Sequence, residues 1–89
     1  MDEFRAIVRG RVQGVGFRNF VWKHANQLGI KGLVRNLPDW TVEVVAQGDV
    51  STLKQLIEHL HKGPFFSKVT KVEIEWRRPS SAYKAFQIE

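Results

Sequence analysis

The chain has 89 residues and no cysteine, and its 14 lysines and arginines outnumber nine acidic residues to give a net charge of +5. This length fits one domain over residues 1–89, and the absence of cysteine excludes disulfides and thiolate metal sites. The acidic N-terminal sequence is not a signal peptide and no apolar run approaches the ~18 residues of a membrane span, so we expect a cytoplasmic protein without a membrane partner. The basic charge favours an anionic partner without identifying it.

The first half of the chain changes its hydrophobic period twice. Residues 4–12 alternate apolar and polar positions, as a half-buried strand does. After a glycine-rich loop, apolar residues recur at helical spacing over residues 17–28, and Gly29 ends this helix. Residues 30–37 and 41–48 then form two strands of a hairpin.

The second half repeats the helix–strand order. Asp49 is placed to cap a second helix, which ends at Gly63. Residues 68–76 alternate as a fourth strand, and residues 85–89 form a short edge strand. The order β-α-β-β-α-β predicts an α+β, ferredoxin-like sandwich, in which two helices pack on one face of a mostly antiparallel sheet.

The loop before the first helix reads GRVQGVGFR at residues 10–18, and three interpretations compete for it. A dinucleotide-binding fingerprint would require glycine at Asn19 and a parallel strand–helix–strand unit, and neither is present. RNA-recognition modules share the element order, but their aromatic octamer lies on a central strand, whereas Phe17 and Phe20 belong to the helix here. A basic nucleic-acid-binding module without catalysis is therefore kept as the non-enzymatic alternative.

The third interpretation is an anion cradle. No side chain that could cap the helix precedes its first turn, because Gly16 stands at that position. Gly14 and Gly16 permit positive φ and close backbone approach, and Arg18 adds a planar cation in the first turn, where it opposes the helix dipole. A tight strand-to-helix turn with a surface arginine explains these residues equally well, so the loop alone leaves both interpretations open.

The sequence resembles the acylphosphatase family. Members carry the loop G-x-V-Q-G-V-G-F-R, which residues 10–18 match at every position, and a second block, G-x-V-x-N, which residues 32–36 match as GLVRN. The likeness extends over essentially the whole chain. The loop is a specific signal, whereas the second block is too short to identify a family alone.

The resemblance implies hydrolysis of acyl phosphates to a carboxylate and inorganic phosphate, without a metal, a cofactor or a covalent intermediate. We expect the partners to be acyl phosphates and inorganic phosphate, and the protein to be a monomer. The resemblance also implies that the Arg18 guanidinium binds the phosphate and that Asn36 holds the attacking water. The backbone amides implied to bind the phosphate are those of Gln13, Gly14, Val15, Gly16, Phe17 and Arg18.

One position departs from the family pattern. Relatives often have Asp-Gly in the turn after the second strand, whereas Asp39 is followed here by Trp40. Tryptophan resists positive φ, so the usual two-residue turn is in doubt.

The remaining charged and titratable residues are expected to be structural or to act at long range. Three arginines alternate along the outward face of the first strand and are expected to form a solvated stripe that steers anions. They are Arg5, Arg9 and Arg11. The spacing of the histidines predicts no metal site. They are His24, His59 and His61.

Overall fold

The computed structural model describes all residues, 1–89, and has the predicted element order. Two helices and five strands follow one another along the chain. They are β1 (Asp2–Arg11), α1 (Phe17–Gln27), β2 (Lys31–Asn36), β3 (Val42–Gly48), α2 (Val50–Lys62), β4 (Lys68–Arg77) and β5 (Phe86–Ile88).

The strands form one sheet in the order β4-β1-β3-β2-β5. All neighbouring pairs are antiparallel except β2 and β5, which run parallel. The predicted α+β, ferredoxin-like sandwich is thereby confirmed. The short C-terminal strand extends the sheet beyond β2.

The core lies between one face of the sheet and the two helices. Sixteen apolar residues form it. Twelve of them occupy the alternating positions of β1 and β3 and the stripes of α1 and α2 that the periodicity predicts, and the other four are Val12, Ile30, Val34 and Phe86. The first helix buries Phe17, Val21 and Ala25 completely, whereas Phe20 and His24 on the same stripe are only half-buried.

The start of α2 differs from the prediction in one detail. Asp49 lies at the N-cap, but its side chain makes no capping hydrogen bond, and the helix begins with a backbone bond from Leu53 N–H to Asp49 C=O at 2.8 Å. Neither α1 nor α2 combines the length and the apolar character needed to cross a membrane.

Strand directions decide which loops meet. Because β1, β2 and β5 run one way and β3 and β4 the other, the last residues of the first set lie at the same edge of the sheet as the first residues of the second set. We call this edge the Asn36 end of the sheet. It brings together the 12–16 loop, the 37–41 turn, the 63–67 loop and Glu89.

Candidate active site

The 12–16 loop is fixed to the core at both of its ends. Val12 and Phe17 are each 1% exposed, and Val15 packs partly against the core between them. Between these anchors Gly14 and Gly16 take φ of 73° and 78°, the left-handed conformation that glycine adopts without strain. Because the Phe17 side chain lies in the core, only its backbone can face a ligand.

The loop and the first turn of α1 present unpaired backbone donors. Gly16 is the N-cap and supplies no side-chain capping bond, and the first helical bond runs from Phe20 N–H to Gly16 C=O at 3.1 Å. The N–H groups of residues 13–16 donate to no group of the protein, and those of residues 17–19 lie in the first turn, where no intrahelical acceptor exists. This cluster lies at the positive end of the helix dipole, so it suits an anion.

Arg18 is exposed at the same place and is held by the end of the chain's last strand. Its Nη1 donates to the backbone carbonyl oxygen of Glu89 at 3.0 Å, and Glu89 N–H in turn donates to Val34 C=O at 2.9 Å. A guanidinium has five N–H donors, so one bond orients Arg18 while its other donors stay available to a ligand.

Asn36 is the last residue of β2. Strand alternation places its side chain on the same face as Val34, which lies in the core beneath the helices. Its Oδ1 is buried and accepts no hydrogen bond. An unpaired buried acceptor of this kind costs about 1–3 kcal/mol, which a purely structural residue at this position would not need to bear.

The Gln13 side chain joins the loop to the β2–β3 turn. Its Nε2 donates to Leu37 C=O and to Thr41 C=O, both at 2.9 Å. Sequence reasoning assigned Gln13 only a backbone role, and the structure leaves its N–H free while also engaging the side chain. No sequence pattern could reveal this contact, because its partners are 24 and 28 residues away.

The β2–β3 turn is a three-residue loop, and not the two-residue turn that the sequence analysis placed in doubt. Leu37 N–H donates to Thr41 C=O at 2.9 Å, and Trp40 N–H donates to Leu37 C=O at 3.2 Å. Trp40 takes φ of 70°, and no other residue except glycine has positive φ. Trp40 therefore takes the conformation that tryptophan resists, at a cost of about 1–2 kcal/mol.

Two hydrogen bonds from Thr41 to the Asp39 carboxylate span Trp40. The Thr41 hydroxyl donates to Asp39 Oδ1, and the Thr41 N–H donates to the same oxygen at 3.2 Å. These two bonds lower the pKa of Asp39 below its usual value, the hydroxyl bond having the larger effect. The carboxylate thus closes the turn and is not available as an acid.

Two arginines of the stripe predicted on β1, Arg9 and Arg11, are exposed to solvent, and Arg5 is half-buried. Arg5 and Arg35 both donate to the buried Glu43 carboxylate at 2.5 Å, and Arg9 donates to Glu73 at 2.8 Å. Burial alone would raise the pKa of Glu43, but the hydrogen bonds from its two arginines outweigh burial and hold the pKa below the usual value.

Two histidines that the sequence analysis treated separately are stacked between the helices. The His24 and His59 rings lie 3.8 Å apart with 16° between their planes. Burial lowers the pKa of His24, and the neighbouring His59, Lys23 and Lys62 lower it further. Stacked rings do not direct their lone pairs at a common point, and no three His, Asp or Glu side chains assemble into a possible metal site.

No enclosed cavity accompanies the loop. One shallow depression of about 250 Å³ lies on the opposite side of the sheet, between β1 and β4, lined by Arg5, Ile7, Glu73, Ile74 and Glu75. Its rim is an exposed ion-pair surface, so we do not associate it with the loop. The loop, Arg18 and Asn36 instead lie at the Asn36 end of the sheet, where they make up the candidate site.

Comparison with known proteins identifies the family of the chain. The sequence model of the family described as Acylphosphatase matches residues 4–88. An acylphosphatase of Thermococcus kodakarensis is 49% identical over 81 residues, covering 89% of each chain. An acylphosphatase of Bacillus licheniformis is 46% identical over 88 residues, covering 99% of this chain and 98% of the relative.

The fold comparison agrees with the sequence comparison. The crystal structure of acylphosphatase from Bacillus subtilis superposes with a TM-score of 0.97 at 39% identity, covering 100% of this chain and 99% of that one. Family model, full-length relatives and fold therefore agree, and the chain belongs to the acylphosphatase family.

Proposed function

We propose that this acylphosphatase binds the phosphate group of an acyl phosphate with the backbone N–H groups of residues 13–18 and the Arg18 guanidinium, while Asn36 positions the attacking water. The products are a carboxylate and inorganic phosphate. The observation that carries the proposal is the juxtaposition of unpaired amides, an available guanidinium and an unpaired amide oxygen at one end of the sheet.

Electrostatic stabilisation is the task of the loop. Phosphoryl transfer passes through a loose transition state whose charge lies on the equatorial oxygens, so catalysis depends mainly on donors fixed where that charge resides. The anchoring of the loop by Val12 and Phe17 holds its amides in place before the substrate binds. Arg18 adds a full positive charge and a fork that matches two phosphate oxygens.

Positioning of water is the task of Asn36. An amide does not titrate in the useful range, so Asn36 is not a general base, but its Oδ1 can accept a hydrogen bond and orient a water lone pair toward phosphorus. Oδ1 has no protein donor, so a water bound there replaces no existing bond. Because this oxygen is buried, the proposal requires the side chain to rotate toward the loop when phosphate binds.

The leaving group explains why few residues suffice. A carboxylic acid has a pKa of about 4, so its carboxylate departs without protonation and no general acid is needed. The proposal accordingly assigns no cofactor. An alkyl phosphate monoester would leave as an alkoxide, and we expect it to be hydrolysed far more slowly.

Asn36→Ala tests the division of roles. We expect kcat for an acyl phosphate to fall by about 100-fold, the scale of losing one positioning group, while competitive inhibition by inorganic phosphate is nearly unchanged. Asn26→Ala is the matched control, because the Asn26 amide bonds only to the Trp22 carbonyl on the exposed side of α1. Loss of phosphate affinity with unchanged kcat would instead place Asn36 among the phosphate-binding groups.

A further inference from the structure

Trp40 is the one tryptophan that the fold does not use. The Trp22 indole N–H donates to Phe86 C=O at 3.1 Å, and the Trp76 ring packs edge-on against Phe4 at 5.7 Å. The Trp40 ring has neither a hydrogen bond nor an aromatic neighbour, and it is 74% exposed. Trp22 and Trp76 are each 44% exposed, so Trp40 is the most exposed of the three tryptophans.

The backbone of Trp40 is also strained, as its φ of 70° shows. Glycine would take this conformation without strain, and asparagine would take it at a lower energetic cost than tryptophan. Exposed side chains do not stabilise a turn enough to favour tryptophan over glycine at such a position. Strain of this kind is concentrated at sites where the side chain has a task outside the fold.

The position of the turn connects Trp40 to the phosphate site. The turn starts directly after Asn36, and Gln13 of the phosphate-binding loop donates to the carbonyl oxygens of Leu37 and Thr41 on either side of Trp40. The turn and the loop therefore form one connected surface. A group attached to a phosphate bound in the loop would therefore have this turn as a neighbour.

We propose that the Trp40 indole contacts the acyl group of the substrate and gives the enzyme a preference for aromatic acyl phosphates over small aliphatic ones. This inference rests on the proposed phosphate site. The loop binds only the phosphate end, and no enclosed cavity at this end of the sheet receives the rest of the substrate. The exposed Trp40 indole then offers a surface on which the acyl group can bury apolar area.

The other exposed aromatic residues at this end are less well placed. Phe65 and Phe66 are 91% and 73% exposed in the 63–67 loop, and their rings pack against each other at 5.0 Å. That loop precedes β4, on the side of β1 away from β2, whereas Asn36 lies on β2. No side-chain bond connects the 63–67 loop with the phosphate-binding loop, so Phe65 serves as a control.

The test compares two substrates that share the phosphate and differ in the acyl group. kcat/KM is measured for benzoyl phosphate and for acetyl phosphate with wild type, Trp40→Gly, Trp40→Phe and Phe65→Ala. In Trp40→Gly we expect the benzoyl-to-acetyl ratio to fall about 3- to 10-fold, the range of one aromatic contact, mainly through a higher KM for benzoyl phosphate. Trp40→Phe should retain most of the ratio, and Phe65→Ala should retain all of it.

The outcomes separate this inference from the function on which it rests. A wild type that hydrolyses neither substrate would refute the proposed function, and the inference with it. A wild type active on both substrates with the same ratio in Trp40→Gly would refute the inference alone and would leave the exposed indole to contact a macromolecule. An equal fall in Phe65→Ala would also refute it, because the effect would then not be specific to Trp40. Glycine suits positive φ, so circular dichroism should show Trp40→Gly to be folded.

Discussion

The Gln13 side chain provides a sharp test of how the site is assembled, because it alone bonds the phosphate-binding loop to the turn after Asn36. Gln13→Ala removes both hydrogen bonds from Nε2. The two carbonyl groups keep one partner each, since Leu37 C=O still accepts from Trp40 N–H and Thr41 C=O from Leu37 N–H. The variant therefore loses two bonds without creating unpaired carbonyl groups.

The expected magnitude follows from that count. Each neutral hydrogen bond contributes about 1 kcal/mol to the free energy of unfolding. Because both carbonyl groups keep a second partner, we expect the loss of the two bonds to lower this free energy by about 1.5 kcal/mol. For a domain of this size, that loss lowers Tm by about 6–12 °C. Because the loop and Asn36 are no longer tied together, kcat for an acyl phosphate should fall by about 10-fold.

Thermal unfolding followed by circular dichroism measures the first effect and steady-state kinetics the second. Gln27→Ala is the matched control, since Gln27 is exposed at the end of α1 and its side chain makes no hydrogen bond. A Gln13→Ala variant with the Tm and kcat of that control would refute the reasoning, because the two bonds would then contribute neither to stability nor to alignment.

Two further predictions concern the scaffold. In the folded protein the pKa of His24 is lowered, so the unfolded chain binds more protons and the free energy of unfolding should decrease as the pH falls from about 6.5 to about 5. Urea titrations over this range, which lies above the titration of the acidic side chains, should show the decrease in wild type and His61→Ala but not in His24→Phe. Gly32→Ala should prevent folding, because an added Cβ would lie 1.8 Å from the backbone oxygen of Val45 at a φ of 148°. Gly16→Ala is the comparison: its φ is 78° and no atom lies within 4 Å of an added Cβ, so its free energy of unfolding should fall by only about 1–2 kcal/mol. A Gly32→Ala variant that circular dichroism shows to be folded would contradict this prediction.

The fold was largely predictable because its elements have clear periods. Alternation over β1 and helical spacing over α1 and α2 placed each element within a residue or two of its observed bounds. The parallel pairing of β5 with β2 was not predicted, since three residues carry too little pattern to choose a neighbour. Partners across strands were also missed, because periodicity shows that Arg5 faces outward and does not show that Glu43 of β3 lies within hydrogen-bond distance of it.

The site was less predictable than the fold, for a physical reason. The glycines and Arg18 lie in one short segment, so their local conformation can be inferred from the sequence. The contacts that complete the site are long-range: Gln13 to the β2–β3 turn, and Arg18 to Glu89 across 71 residues. Trp40 is a second example: its positive φ opposes the preference of tryptophan, and it occurs in a turn held by local backbone bonds and by the two long-range bonds from Gln13.

The central claim is that the loop amides and Arg18 bind the phosphate without a metal, and one measurement tests it most directly. Hydrolysis of benzoyl phosphate is measured with a chelator present for wild type, Arg18→Ala and Arg11→Ala. Arg11 is a suitable control because it is exposed, lies at the end of β1 and forms no ion pair.

We expect wild type and Arg11→Ala to turn over rapidly and to be insensitive to the chelator. We expect Arg18→Ala to lose about 100- to 1,000-fold in kcat/KM and to lose inhibition by inorganic phosphate. It should remain folded, because Arg18 is exposed and makes a single hydrogen bond within the protein. A folded Arg18→Ala that still binds phosphate and hydrolyses the substrate, or a wild type that the chelator inactivates, would contradict the account.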